Sequence, residues 1–438
     1  MTKPPLLKGF YTSSLGGMLV IRDNNALFSF VEGHKNAPYL LIDTEFLREQ
    51  TYYPKLCLIQ LAGPEDAAIV DVLAEGLEFD LLRPLLADEA IVKVFHAGRQ
   101  DLEIFLNLYG FVPHPLFDTQ VAAMVCGHGE QVAFDTLVRR IAGISLDKMS
   151  RFTDWARRPL SERQLDYALA DVVHLRPVYL ALAAKLKTLG REHWIESDLA
   201  TLGDPGLYRI DPDRAWERLK VRSRDPAFLG RLQALAAWRE REAQSRDLPR
   251  QHLLKDEQLQ EIAANNPANA GQLSYARGIS PQTAKGKLGQ RILAALAEAQ
   301  PLAVPRPPRR PESVSSANSG ARSDLLRVLL RMAAERHGVA ARLIASSSEV
   351  ERLANCERDG LEVLIGWRAE VFGNDALALL DGRLALCSTK DEVKVLRQQD
   401  DGSWQERPAA GDLRPTRSDL RGSGEGPPRQ TPPGRPGS

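Results

Sequence analysis

Asp43 and Glu45 sit two positions apart in residues 40–46, Leu-Leu-Ile-Asp-Thr-Glu-Phe, a run of strand character. Residues two apart on a strand point to one face, so these carboxylates converge and repel unless a proton or a cation lies between them. A hard divalent cation such as Mg²⁺ suits the pair, because it takes oxygen ligands and binds through one or two carboxylates plus substrate phosphates. Further along, Asp101 falls in the first turn of a predicted helix, where the positive end of the helix dipole favours a carboxylate. Tyr167 and Asp171 are four apart in a long predicted helix and share one of its faces. Four carboxylates and a phenol from three separated elements meet the needs of two divalent ions, which take anionic ligands and keep positions open for water and a phosphate. Such a pair of ions lowers the pKa of an attacking water and stabilises the leaving oxygen at phosphorus. The Tyr167 hydroxyl would orient that water, since an unperturbed phenol near pKa ~10 is a poor general base. Spacing alone does not single out these four carboxylates among 57 acidic residues.

The elements that must hold them follow from apolar periodicity and end signals. Strands are predicted at 18–22, 40–46, 56–61, 67–72 and 91–95, the second to fourth in meander order. Helices are predicted at 25–33 with Asn24 or Asn25 as cap, and at 79–86, 99–108, 119–126 behind Asp118, and 134–141 stopped by Gly143. Ser161 and Gln164 have the spacing of a capping box, opening a helix that runs to about residue 189, with Gly190 behind it and Pro177 as a kink. Strands and helices in this order make an α/β layer with a mixed sheet over residues 18–205. From 226 the pattern changes to short helices with charged faces, at 228–242, 256–264, 267–273 and 281–299. Residues 301–322 read as a flexible linker rich in Pro, Arg and Ser. Residues 323–396 form a second, mostly helical segment with a hairpin near 377–386, and 397–438 read as a disordered tail.

Composition narrows the class. A chain of 438 residues implies about three domains, and 43% hydrophobic with 26% charged residues is a soluble globular balance. A formal net charge of zero excludes a globally basic nucleic-acid binder, leaving a local surplus of about four positive charges over 211–300. Four cysteines with no Cys-x-x-Cys pair argue against a zinc knuckle or disulfide framework and fit a reducing cytoplasm. No stretch approaches the ~18 apolar residues of a membrane span. Residues 1–17 read as an extension or a misassigned start.

Three ordered motifs carry a family resemblance. Asp43-Thr44-Glu45-Phe46 with Thr51-Tyr52-Tyr53-Pro54-Lys55-Leu56 and Ile59-Gln60-Leu61 resembles the first motif of the DEDD exonucleases. His96-Ala97-Gly98-Arg99-Gln100-Asp101-Leu102-Glu103 resembles the second. Tyr167-Ala168-Leu169-Ala170-Asp171, behind Thr153-Asp154-Trp155 and Arg158-Pro159-Leu160-Ser161, resembles the third, in its tyrosine-bearing branch. Over most of its length the chain is similar to the bacterial ribonuclease D family. The resemblance implies a ribonuclease H-like core with a mixed sheet, followed by two all-helical HRDC-type domains, at 226–300 and 323–396. It implies that Asp43, Glu45, Asp101 and Asp171 hold two Mg²⁺ or Mn²⁺ ions and that Tyr167 positions the water. It also implies a monomeric 3′→5′ exoribonuclease that releases nucleoside 5′-monophosphates, with tRNA precursors carrying 3′ trailers as substrates.

Other residues have two readings. His96 packs or positions substrate and stays outside the metal set, since imidazole suits softer metals. Asp118 and Asp154 read as helix caps. Phe46, Tyr52 and Tyr53 either stack on 3′-terminal bases or pack in the core. Arg239, Arg241, Arg246, Arg250, Lys285 and Lys287 either contact phosphates or line a solvated face, and the arginines of 306–310 and 414–435 either hold RNA or serve solubility. Two rival functions stand beside the exoribonuclease: a DNA 3′→5′ exonuclease and a non-catalytic RNA-binding scaffold.

Overall fold

Leu40 to Ile42 leave no polar face on their strand, and the reason is that both faces of the sheet are covered. The computed structural model describes residues 10–13, 16–146, 153–302 and 319–406. Its first compact unit, Met1–Ser313, is built on seven strands: β1 (Phe10–Ser13), β2 (Gly16–Ile21), β3 (Tyr39–Leu47), β4 (Lys55–Ala62), β5 (Ala67–Val70), β6 (Val92–Phe95) and β7 (Leu116–Asp118). Their spatial order is β1-β2-β5-β4-β3-β6-β7. Strands β3, β4 and β5 pair antiparallel as a meander, whereas β3–β6, β6–β7 and β2–β5 are parallel, so the sheet is mixed.

Alternation along β3 divides the core. Leu40 and Ile42 join Ile59 and Leu61 of β4 on one face, packed against α1 (Asn24–His34), α2 (Arg83–Ala87) and α3 (Arg99–Tyr109). The sequence next supplies α4 (Thr119–Val125), α5 (Phe134–Ala142) and the long α6 (Glu162–Leu189). Leu41 and Ala62 meet Val172 and Leu175 of α6 on the opposite face, and Leu58 meets Leu165, Ala168 and Leu169. Leu41, Ile42, Leu58 and Ile59 are all buried, which explains the unbroken apolar runs.

Local signals position most elements where the sequence predicts them. Ser161 and Gln164 form the capping box of α6, Gly143 and Gly190 end α5 and α6 in the left-handed conformation, and Asp118 caps α4. Helix α6 continues through Pro177. Four details differ. The cap of α1 is Asp23, whose side chain accepts from the Ala26 amide, while Asn24 bonds to Gly76 and Glu78 instead. Strand β7, only three residues long, gives no period to read. Residues 10–13 and 16–17, read as an extension, form β1 and the start of β2. The single helix expected at 281–299 is two, Pro281–Lys285 and Lys287–Ala297, divided at extended Gly286.

After α7 (Glu196–Gly203), α8 (Pro226–Arg246) opens a helical bundle within the same unit. Its core gathers Leu232 and Leu235 with Leu259, Ile262, Leu273 and Ile292. Arg239 is buried there, donating to the Leu254 carbonyl at 2.7 Å and pairing with Asp256 at 2.8 Å, so it is a packing arginine. Arg241 and Arg246 pair with Asp213 and Glu242, whereas Lys285 and Lys287 are exposed.

The second unit, Val314–Ser438, packs helices Ser319–His337, Ser347–Ala354 and Asn374–Leu380 over Leu326, Val350, Leu353 and Phe372. Its first helix begins inside the expected linker. A three-stranded antiparallel sheet follows, β8 (Leu384–Ser388), β9 (Val393–Gln398) and β10 (Trp404–Glu406). The hairpin therefore lies later than 377–386, and β10 falls in the segment read as a disordered tail. The arginines at 306–310 and 414–435 lie outside the described residues.

Candidate active site

The site is built where β3 leaves the sheet interior. Up to Glu45 its register with β4 is regular, and it slips between Glu45 and Phe46. Such a bulge bends the strand and re-aims its side chains. Beyond it Phe46, Leu47, Arg48 and Glu49 join Asp43, Thr44 and Glu45 in lining one cleft of about 750 Å³. Asp101, Tyr167 and Asp171 line the same cleft, so all five residues singled out from the sequence meet in one place.

Three of the carboxylates cluster. Asp43, Glu45 and Asp171 each offer an oxygen, and these atoms lie within 4.8 Å of one another. An oxygen-only donor set of this size suits a hard cation and fits neither a thiolate nor an imidazole metal. Asp101 approaches from the α3 side and accepts a hydrogen bond from the Thr44 hydroxyl. Thr44 alternates with Asp43 along β3, so Asp101 is reached from the opposite face of the strand.

The electrostatics follow from this crowding. Burial first, and then the charges of Asp101, Asp171 and Glu45, hold the Asp43 carboxyl well above the usual carboxylate range. Burial pushes Asp101 up to about 7, against the Thr44 hydrogen bond, which favours its charged form. A carboxylate cluster of this kind cannot ionise together without a counter-charge, which a divalent cation would supply.

Asp101 depends on the turn between β6 and α3. Ala97 adopts a left-handed conformation there (φ 54°), and a Cβ on Gly98 would meet the Phe95 side chain at 2.5 Å. Asp118 holds the turn, accepting from the Ala97 amide at 3.2 Å and the Gly98 amide at 2.9 Å while capping α4. It therefore supports the turn and does not line the cleft. His96 packs and also lines the cleft: its Nδ1 is 2.9 Å from the Thr119 hydroxyl, its ring lies against Phe134, and burial lowers its pKa.

Tyr167 is set by the segment before α6. Its ring stacks at a tilt on Trp155, centroids 6.0 Å apart. Arg158 fixes that segment, donating to the Trp155 carbonyl at 2.6 Å and the Cys57 carbonyl at 3.1 Å, and pairing with buried Asp71 at 2.6 Å. Asp154 turns the chain by accepting from the Ala156 amide at 3.0 Å.

Tyr52 and Tyr53 lie outside the cleft lining and are held by the helical bundle. Tyr52 donates to Glu240 of α8, and the Tyr53 amide donates to Asp247 at 2.9 Å. These contacts join residues about 190 apart in sequence and have no local signal. Phe46 remains at the cleft. Gln131, Phe134 and Asp135 also line it, and nothing in their spacing marks them.

Comparisons with known proteins agree with this geometry. Residues 18–187 match the family described as 3′-5′ exonuclease, and residues 228–296 match the HRDC domain. Ribonuclease D of Granulibacter bethesdensis is 49% identical over 83% of this chain and 92% of its own length. That of Gluconacetobacter diazotrophicus is 50% identical over 86% and 96%. The crystal structure of Escherichia coli RNase D, an exoribonuclease involved in structured RNA processing, superposes with a TM-score of 0.70 at 32% identity, over 83% of this chain and 99% of that one. A protein from Bifidobacterium adolescentis shares the fold at TM-score 0.64 and 21% identity. With its carboxylate cleft, its exonuclease and HRDC segments and about half of its aligned residues shared with such relatives, the chain belongs to the ribonuclease D family of exoribonucleases.

Proposed function

We propose that this protein trims RNA from its 3′ end by metal-dependent hydrolysis, releasing nucleoside 5′-monophosphates, and that tRNA precursors with 3′ trailers are its substrates. The observation that carries the reading is the convergence of Asp43, Glu45 and Asp171 within 4.8 Å in a cleft that also contains Asp101 and Tyr167. The chemistry of the donors fits a divalent ion, and Asp43, Glu45, Asp101 and Asp171 would hold two Mg²⁺ or Mn²⁺. When bound, such ions supply a more acidic water and stabilise charge on the leaving oxygen.

The chain's own groups do the rest. The Tyr167 hydroxyl orients the attacking water in line with the scissile bond. A new bond forms between the water oxygen and phosphorus, the bond from phosphorus to the 3′ oxygen of the penultimate nucleotide breaks, and that oxygen takes a proton. Phe46 offers the terminal base an aromatic face beside the carboxylates. The relatives named ribonuclease D support RNA as substrate, and the E. coli relative's role in structured RNA supports a folded precursor with a single-stranded end.

The reading extends to a monomer acting in the cytoplasm, where four unpaired cysteines are stable. Among the described residues, no helix is long and apolar enough to cross a membrane. The test is a competition between a tRNA precursor with a 3′ trailer and a DNA strand of the trailer sequence. The trailer should shorten stepwise and stop near the mature end, with DNA left nearly intact. Equal or faster digestion of DNA would replace this substrate with the DNA reading.

A further inference from the structure

Gln60 of β4 is fully buried, and neither its Oε1 nor its Nε2 has a hydrogen-bond partner among the described residues. A buried primary amide without partners is costly, and native proteins leave few of them. In the sheet register Gln60 lies opposite Asp43 on β3 and opposite Ile69 on β5. Residues directly opposite in an antiparallel pair share a face, with Cβ atoms about 5 Å apart. Its other neighbours on that face are apolar except for two diagonal carboxylates, Glu45 on β3 and Asp71 just past β5, and Asp71 is paired with Arg158 at 2.6 Å. Leu58 and Ala62 flank Gln60 along β4, and α6 covers them with Ala168, Leu169 and Val172. Asp43 is thus the polar group directly opposite this amide on the sheet, and Gln60 lies behind it, since it does not line the cleft.

We propose that Gln60 is a positioning residue for Asp43. Its Nε2 donates to the Asp43 carboxylate when that carboxylate holds a divalent ion, fixing the orientation in which Asp43 presents its oxygens to the cleft. The inference rests on Asp43 being a metal ligand, as read above. An ionised carboxylate only accepts hydrogen bonds, and a carboxylate that holds a metal is commonly fixed by a donor behind it. The orphaned amide supplies one at the right register position, on a rigid central strand.

The experiment uses the full chain without RNA. Free Mn²⁺ is followed by electron paramagnetic resonance during titration of the wild type, Gln60→Met, Gln60→Leu and Asp43→Asn, and Tm is measured for each in EDTA. Gln60→Met, similar in length but lacking the amide, should weaken Mn²⁺ binding by about tenfold or more, the cost typical of losing such a support. Its Tm in EDTA should equal or exceed that of the wild type, because an unpartnered buried amide has been removed. A merely structural glutamine would lower that Tm and leave Mn²⁺ binding alone. The proposal is overturned if Mn²⁺ affinity stays within about twofold of wild type, or if both apolar variants fail to fold in EDTA. Equal binding by wild type and Asp43→Asn would instead remove Asp43 from the metal set, and Gln60 with it. Loss of binding in Asp43→Asn with none in Gln60→Met would make Gln60 alone wrong.

Discussion

The Tyr52 hydroxyl donates a hydrogen bond to the Glu240 carboxylate, tying the loop between β3 and β4 to the first helix of the HRDC segment. Glu240 is buried and also pairs with Arg250 at 2.8 Å, whose guanidinium lies 5.3 Å from the centre of the Tyr52 ring. The loop leads directly out of the strand that carries Asp43 and Glu45, so the docked bundle holds the chain where it leaves that strand.

Tyr52→Phe removes the hydroxyl and leaves a buried carboxylate oxygen short of one donor, which costs about 1–3 kcal/mol. The expected outcome is faster amide exchange at Tyr53, whose N–H is held by Asp247, with the exchange of the β3 and β4 amides unchanged. Protection at Tyr53 equal to wild type would show that the Asp247 contact holds the loop alone.

Asp43→Asn and Asp101→Asn should each abolish turnover while the chain stays folded. Replacing Asp43 also removes like-charge repulsion from Asp101, Asp171 and Glu45, so the Tm in EDTA should rise. Circular dichroism and single-turnover kinetics on the same preparations check both halves, and near-normal rates would remove the residue from the site.

Tyr167→Phe keeps the ring against Trp155 and deletes the hydroxyl. We expect kcat to fall on the order of 10²-fold, the size of effect that a positioned proton-handling or orienting group contributes. Mn²⁺ affinity should not change. A loss of metal binding would make Tyr167 part of the ligand shell.

Metal affinity should depend on pH with a definite sign. Asp101 titrates near 7 in the folded chain and near ~4 when unfolded, so its protonated form favours the fold. In EDTA this group's contribution to stability is therefore present at low pH and lost as pH rises through about 7. Metal binding needs the ionised carboxylates, so Mn²⁺ affinity should rise by about tenfold per pH unit for each proton displaced below that point. Titrations at pH 5.5, 6.5 and 7.5 check this, and an affinity flat across the range would contradict it.

The sequence reveals what repeats locally. Asp43 and Glu45 are two apart on a strand, Tyr167 and Asp171 are four apart on a helix, and Ser161 with Gln164 announces where that helix starts, so much of the site's scaffold could be read in advance. Family motifs were needed to choose these residues among so many carboxylates. What stayed hidden depends on partners distant in sequence. The bulge after Glu45 leaves no compositional mark, Gln60 reads as one polar residue in an apolar run, and Tyr52 gains its role from a helix 188 residues away. Asp118 was legible as a cap, but its grip on the turn before Asp101 joins residues about 20 apart and has no local signal.

The central claim is that the carboxylate cleft hydrolyses RNA 3′ ends with the help of divalent ions. The most direct measurement is a time course on a 5′-labelled RNA with an unpaired 3′ tail, in Mg²⁺ and in EDTA, with the released products identified by mass. The account predicts stepwise shortening and nucleoside 5′-monophosphates in Mg²⁺, and none in EDTA or with Asp43→Asn. Equal shortening in EDTA, or nucleoside 3′-monophosphates as products, would contradict it.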